Sequence, residues 1–92
     1  MNMITEAFNY KQISASGNVL NVGGMLGCIF VSAATATPTI TIYDDSAAGT
    51  TTKIVDTFTP VAGTFYRLPF AVSKGINIVL GGTVSATVGY KS

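Results

Sequence analysis

The C-terminal stretch INIVLGGTVSATVGY places an apolar residue at every second position. Ile76, Ile78 and Leu80 share one parity, and beyond Gly81-Gly82 so do Val84, Ala86, Val88 and Tyr90, with Thr83, Ser85 and Thr87 opposite. A period of two belongs to a strand with one face in a core and the other towards solvent. The stretch TITIY repeats it, with Ile40 and Ile42 on one side and Thr39, Thr41 and Tyr43 on the other. The remaining segments are short and bounded by Gly, Pro and Ser. The pattern predicts strands over 11–15, 19–22, 25–33, 38–44, 53–58, 64–68, 76–80 and 83–90, with Ser16-Gly17, Gly23-Gly24 and Gly81-Gly82 as turns. The continuous apolar run 25–33 suits a central strand buried on both faces. About eight short strands with turn signals every 8–12 residues predict an all-β chain, an antiparallel β-sandwich or jelly-roll-like barrel. Thr, Val and Ile abundance agrees. The expected organisation is an N-terminal arm over residues 1–10 and one β-sandwich domain over 11–92.

A chain of 92 residues and 9.5 kDa is one domain at most. On folding it would bury roughly 63% of its unfolded surface, which gives a marginal core. Its single cysteine, Cys28, excludes an intrachain disulfide, and it has no histidine. Association with other chains is the remaining common route to stability. Charge content points the same way. Asp, Glu, Lys and Arg make up 10% of the chain, against about 25% in a typical soluble domain. The net charge of +1 and the absence of a basic run argue against nucleic acid as a partner.

The mean hydropathy of +0.49 requires a membrane reading to be weighed. The candidate span, residues 19–36, has about the length of a spanning helix and a GxxxG spacing at Gly23 and Gly27. Asn21, nearby Gly and Ser interruptions and the lack of flanking Lys or Arg stand against it, and no membrane association is expected. Nor does the N-terminus read as a signal peptide, because Glu6 precedes the first basic residue, Lys11, and no apolar core follows.

Little in the chain could do chemistry. Without His there is no Ser-His or Cys-His nucleophile and no ordinary zinc site. Cys28, within the most apolar run, reads as a small buried hydrophobe. The Gly-Gly pairs belong to no phosphate-binding pattern. Asp44-Asp45 could invite Ca²⁺ with help from Asp56 or loop carbonyls, but Ca²⁺ takes six to eight oxygens and adjacent strand residues point to opposite faces. The expected role is local: the aspartates end the strand and accept hydrogen bonds from the N–H groups of residues 46–48. No enzyme activity, metal or cofactor is expected.

Interface residues are the remaining candidates. Tyr10, Tyr43, Tyr66, Tyr90 and Arg67 are of types favoured at interfaces, and also of types ordinary in cross-strand pairs. The arm holds Ile4 and Phe8, and an apolar arm is expected to dock against a neighbouring copy or another surface.

The order of segments carries a likeness. An apolar strand (GCIFVSAA), a TITIYD strand, a loop of small residues (DSAAGTTT), a strand leaving it (KIVDTF), then PVAGTFYRLPFAVSKGINIVLGG and a final TVSATVGY together resemble the small β-sandwich virion proteins of tailed bacteriophages, the head decoration or cement type. The likeness covers roughly residues 16–91 and leaves the arm outside. It implies that LPFAVSKGINIVLGG contributes an inner strand and that Tyr90 ends the last one. It also implies a homo-oligomer, with a trimer favoured, that binds the major capsid protein on the capsid surface of a virion made in a host cytoplasm. It carries no catalytic residue. The alternatives are a tail, fibre or head–tail component, and a carbohydrate- or receptor-binding sandwich.

Overall fold

A computed structural model describes residues 8–92. It contains six strands: β1 (Asn9–Ile13), β2 (Gly17–Leu20), β3 (Gly24–Tyr43), β4 (Lys53–Phe58), β5 (Thr64–Val72) and β6 (Ile76–Lys91). All pair antiparallel in one hydrogen-bonded sheet. The frame is the pair β3–β6, 20 and 16 residues long, which runs together from Met25↔Lys91 to Tyr43↔Asn77. The short strands flank it at its two ends. At one end the order is β1-β6-β3-β5, and at the other β2-β6-β3-β4.

The expected eight strands are thus six, because two expected breaks do not reverse the chain. Segments 25–33 and 38–44 are continuous in β3, and 76–80 and 83–90 are continuous in β6. Gly81-Gly82 is a bend within β6, not a turn between strands. Between Thr35↔Thr83 and Thr39↔Gly81, three residues of β3 face Gly82 alone. Such an excess bends and twists a ribbon while leaving both strands in the ladder. Gly82 has φ 68°, and Ala36 and Thr37 opposite it have φ 57° and 53°. Glycine takes that conformation without a Cβ clash, whereas in Thr37, a β-branched residue, it is strained. Pro38 has no N–H to leave unsatisfied where the ladder is interrupted. Turn residues on neighbouring strands, placed at one level, make a shared corner.

The alternation read from the sequence holds in the core. Ile40 and Ile42 of β3, Ile76 and Ile78 of β6, and Val84, Ala86 and Val88 beyond the corner are all buried, in one cluster with Leu26, Ile29 and Val31. Run 25–33 departs from expectation: it buries one face only. Leu26, Ile29 and Val31 point inward, while Phe30 is 42% exposed and Cys28 is half-buried. Against β6, an extra residue at Gly27 shifts the register between Leu26 and Cys28, so parity changes within the run. Residues 19–36, weighed and set aside as a spanning helix, lie in β2, the connection after it and β3, and no helix among the described residues is long and apolar enough to cross a membrane. Asn9 and Tyr10, assigned to the arm by sequence, belong to β1 and pair with Tyr90 and Gly89.

Candidate functional site

The outer faces of the two ends of the sheet, those turned away from the core, are finished differently. On the β2-β6-β3-β4 end, the loop between β3 and β4 is pinned to the sheet. Asn18 of β2 and Asn77 of β6 are cross-strand partners. Asn18 Nδ2 donates to the carbonyls of Asp45 (3.0 Å) and Ala47 (2.9 Å), and Asn77 Nδ2 donates to that of Gly49 (3.0 Å). Paired residues share a face, so two amides side by side hold three carbonyls of one loop. Asn77 and Thr41 are therefore buried on what alternation alone assigns to the solvent side. Thr41 shares a 2.6 Å hydroxyl–hydroxyl bond with Thr57 of β4.

The aspartates anchor this loop. Asp45 Oδ1 accepts from the N–H of Ala47 (2.8 Å) and Gly49 (3.1 Å), close to the local role expected. Asp44 does something else. Its carboxylate reaches the loop between β5 and β6 and accepts from the N–H groups of Ser73 (3.0 Å), Lys74 (2.8 Å) and Gly75 (3.2 Å) and from the Ser73 hydroxyl (3.0 Å). Desolvation pushes the Asp44 carboxyl up, but the hydrogen bonds from Ser73, Lys74 and Gly75 together outweigh it and hold it at about 2. The N–H groups of Ala47 and Gly49 likewise hold Asp45 below its usual value. Three N–H groups around one carboxylate form a neutralising cradle, and they occupy the lone pairs a cation would need. No cluster of three or more metal-ligating side chains occurs among the described residues.

On the β1-β6-β3-β5 end, the outer face is built by the rows Gln12–Thr87–Phe30–Phe65 and Tyr10–Gly89–Cys28–Arg67, as the pairings dictate. Phe30 and Phe65 are direct partners, 42% and 58% exposed, and Tyr10 at the β1 edge is 74% exposed. The Phe8 ring lies over Gly27, where a Cβ would collide with it, and Phe8 borders Gly89, where a Cβ would first meet the Cys28 sulfur. Lys91 Nζ stands 5.7 Å from the ring centroid, within cation–π range. Hence the ring takes the space of a side chain at Gly27, while at Gly89 it is chiefly the Cys28 sulfur that leaves no room for one.

The residues singled out by sequence do not converge. Phe8, Tyr10 and Arg67 share this outer face. Tyr43 is at the opposite end, paired with Lys53. Tyr66 and Tyr90 face inward against the core. Tyr66 meets Phe58 edge-on at 5.2 Å and accepts the Val61 N–H at its hydroxyl. Ile4 lies outside the described residues. Sequence reasoning missed Phe30 and Phe65. Phe30 was hidden by reading its run as buried on both faces; the bulge glycine at 27 was the available signal. Comparison with protein-family models, curated proteins and solved structures gave no match.

Proposed function

We propose that this protein works by surface contact rather than by chemistry, as a virion structural protein that decorates and stabilises a capsid shell. The two ends of the sheet pack over one core as a β-sandwich, the corner at Gly82 carrying β3 and β6 from one layer to the other. The supporting observation is the uncovered aromatic face bearing Phe30, Phe65 and Tyr10, on a chain with few charges. Exposed aromatic residues grouped on one sheet face mark a candidate interaction site, and aromatic residues dominate the energetics of protein contacts. The capsid role itself comes from the resemblance in the order of segments. A shell protein needs a rigid body, short connections and a sticky face, and this chain has the means for each.

Negative-stain microscopy of virus particles made with and without the protein tests this reading. Decorated particles should show regular extra density and resist heat better than bare ones. Particles that neither bind the protein nor change in stability would sink the capsid role. A carbohydrate-binding module is the second reading, favoured by the high exposure of Tyr10 and Phe65, since sugar rings stack on exposed aromatic faces; glycan binding abolished by Phe65→Ser would select it.

A further inference from the structure

We infer that the aromatic face is covered by a second copy of this chain, and that the contact is head-to-tail: the outer β1-β6-β3-β5 face of one copy against the β4 side of the next. This rests on the contact role proposed above and specifies its geometry.

Three observations carry it. First, the sheet edges are closed to pairing. β5 carries Pro69 in its middle, β4 has two register shifts and the exposed Lys53–Asp56 ion pair, β2 has four residues and a shift of its own, and the Lys11 ammonium at the β1 edge donates to the Asn18 carbonyl. Proline, bulges, charge and shortness are the devices by which proteins prevent edge-to-edge growth. Second, the opposite outer face already has its cover, the loop pinned by Asn18 and Asn77, while Phe30, Phe65 and Tyr10 remain exposed. Association is therefore directed through one face.

Third, the charges are sorted. On the strands of the aromatic end stand Lys11, Arg67 and Lys91, and no Asp or Glu side chain among the described residues. Asp44, Asp45 and Asp56 all lie at the other end, with Lys53 and Lys74. A symmetric face-to-face pair would set two faces against each other whose strands carry cations and no acid among the described residues. A head-to-tail contact brings that cationic face to the end that holds all three described aspartates, where Asp56, ion-paired to Lys53, is 82% exposed at the side chain. Like-charge juxtaposition is costly and complementary charge sets register.

The size of the face selects the assembly. Four strands at about 4.8 Å spacing and six residues at about 3.3 Å give a footprint of roughly 400 Å². Counted on both partners that is roughly 800 Å², below the range of stable pairs. One contact alone would be weak. A head-to-tail contact whose rotation closes makes a ring in which every copy is held twice.

The test uses the full chain with Cys28→Ser, to remove the native thiol, and a short bifunctional maleimide. Chains carrying Phe65→Cys are mixed with chains carrying Lys53→Cys. Cross-links between the two kinds, and few within either, are the expected result. Cross-linking of Phe65→Cys chains to each other alone would overturn the head-to-tail geometry. In parallel, sedimentation should show a closed oligomer that weakens with added salt, at least about tenfold weaker with Phe65→Lys and unchanged with Val22→Ser, an exposed apolar site in the β2–β3 connection. A monomer at every concentration would overturn self-association and leave the face to a different protein. If removing residues 1–7 is what creates an oligomer, the chain's own N-terminus is the cover and the inference fails.

Discussion

Asp44 and Ser73 meet across 29 residues of sequence, with both the Ser73 N–H and its hydroxyl donating to the same oxygen, Asp44 Oδ2, at 3.0 Å. The other oxygen takes the next two N–H groups. One carboxylate thus ties the exit of β3 to the entry of β6. Asp44→Ala removes all four bonds and is expected to cost about 2–3 kcal/mol, since hydrogen bonds to a charged group contribute more than neutral ones. At about 4–8 °C per kcal/mol for a domain of this size, the melting temperature should fall by roughly 10–20 °C. Asp45→Ala, which loses two local bonds, should cost less. A chelator should change neither the wild type nor these variants, because backbone N–H groups already fill the carboxylate; a large drop in melting temperature on chelation would overturn that assignment.

The same cradle sets an acid limit. The folded Asp44 carboxyl titrates at about 2 against an ordinary 3.8. A group depressed in the folded state contributes stability that is complete above its unfolded value and is lost as pH falls through the folded one. Between pH 4 and pH 2 the wild type should therefore lose about 1–2 kcal/mol through Asp44, allowing for solvent screening of a partly exposed group. Asp45 shifts in the same direction. The variant Asp44→Asn starts less stable at pH 7 and should show a flatter stability profile over this window. Parallel profiles, measured by denaturant unfolding at each pH, would contradict the cradle.

Asp44 also shows where sequence reasoning stops. That the aspartates end a strand and shape a loop was legible from TITIYDD, because local geometry and Asx chemistry suffice for Asp45. That Asp44 serves a loop 29 residues away was not, since no local pattern encodes a contact made only after β5 has crossed back. The corner is a similar case. Gly81-Gly82 signals a change of direction equally well whether the chain reverses or bends, and the choice depends on Ala36 and Thr37 lying opposite, which only the register supplies. The inward parity of Ile40, Ile42, Ile76 and Ile78 was plain in the sequence. The outward parity of Phe30 was lost because the bulge at Gly27 breaks the count.

The corner has its own test. Gly82 has φ 68°, and a Cβ there would collide with the Ala36 and Thr37 carbonyl oxygens. Gly63, in the turn before β5, has φ 80° and open space around it. Gly63→Ala should cost about 1 kcal/mol from backbone strain alone. Gly82→Ala adds a steric clash with backbone and should cost about 2–3 kcal/mol or more. Equal losses in denaturant unfolding would mean that the bend relaxes freely and does not fix how the two ends of the sheet meet.

Asn77 should behave as a clamp rather than as a core residue. Its amide is 3% exposed and holds the Gly49 carbonyl. Asn77→Ala leaves that carbonyl without its donor and is expected to cost about 1–2 kcal/mol. Asn18→Ala frees two carbonyls of the same loop. Both should open residues 46–51 to limited proteolysis before the rest of the sheet unfolds, because a local opening needs less free energy than the global one. Cleavage that appears only with global unfolding would show that the loop is held by other contacts.

Phe8 and Gly27 offer the sharpest check on the aromatic face, because their effects should not add. The ring occupies the space above Gly27 that a Cβ would need. Gly27→Ala in the wild type must therefore displace the ring or shift β3, at an expected 1–3 kcal/mol. Phe8→Ala uncovers Gly27 and should cost about 1–2 kcal/mol, less than a fully buried phenylalanine because the residue is half-buried. In the double variant the alanine methyl enters vacated space, so the combined loss should be smaller than the sum by about 1 kcal/mol or more. Denaturant unfolding of the wild type, both single variants and the double variant closes this cycle. Additive losses would mean that the ring does not rest on Gly27 in solution. A coupling of the expected sign would establish that the Phe8 ring is docked on the outer face, and that the glycine at 27 is there to receive it.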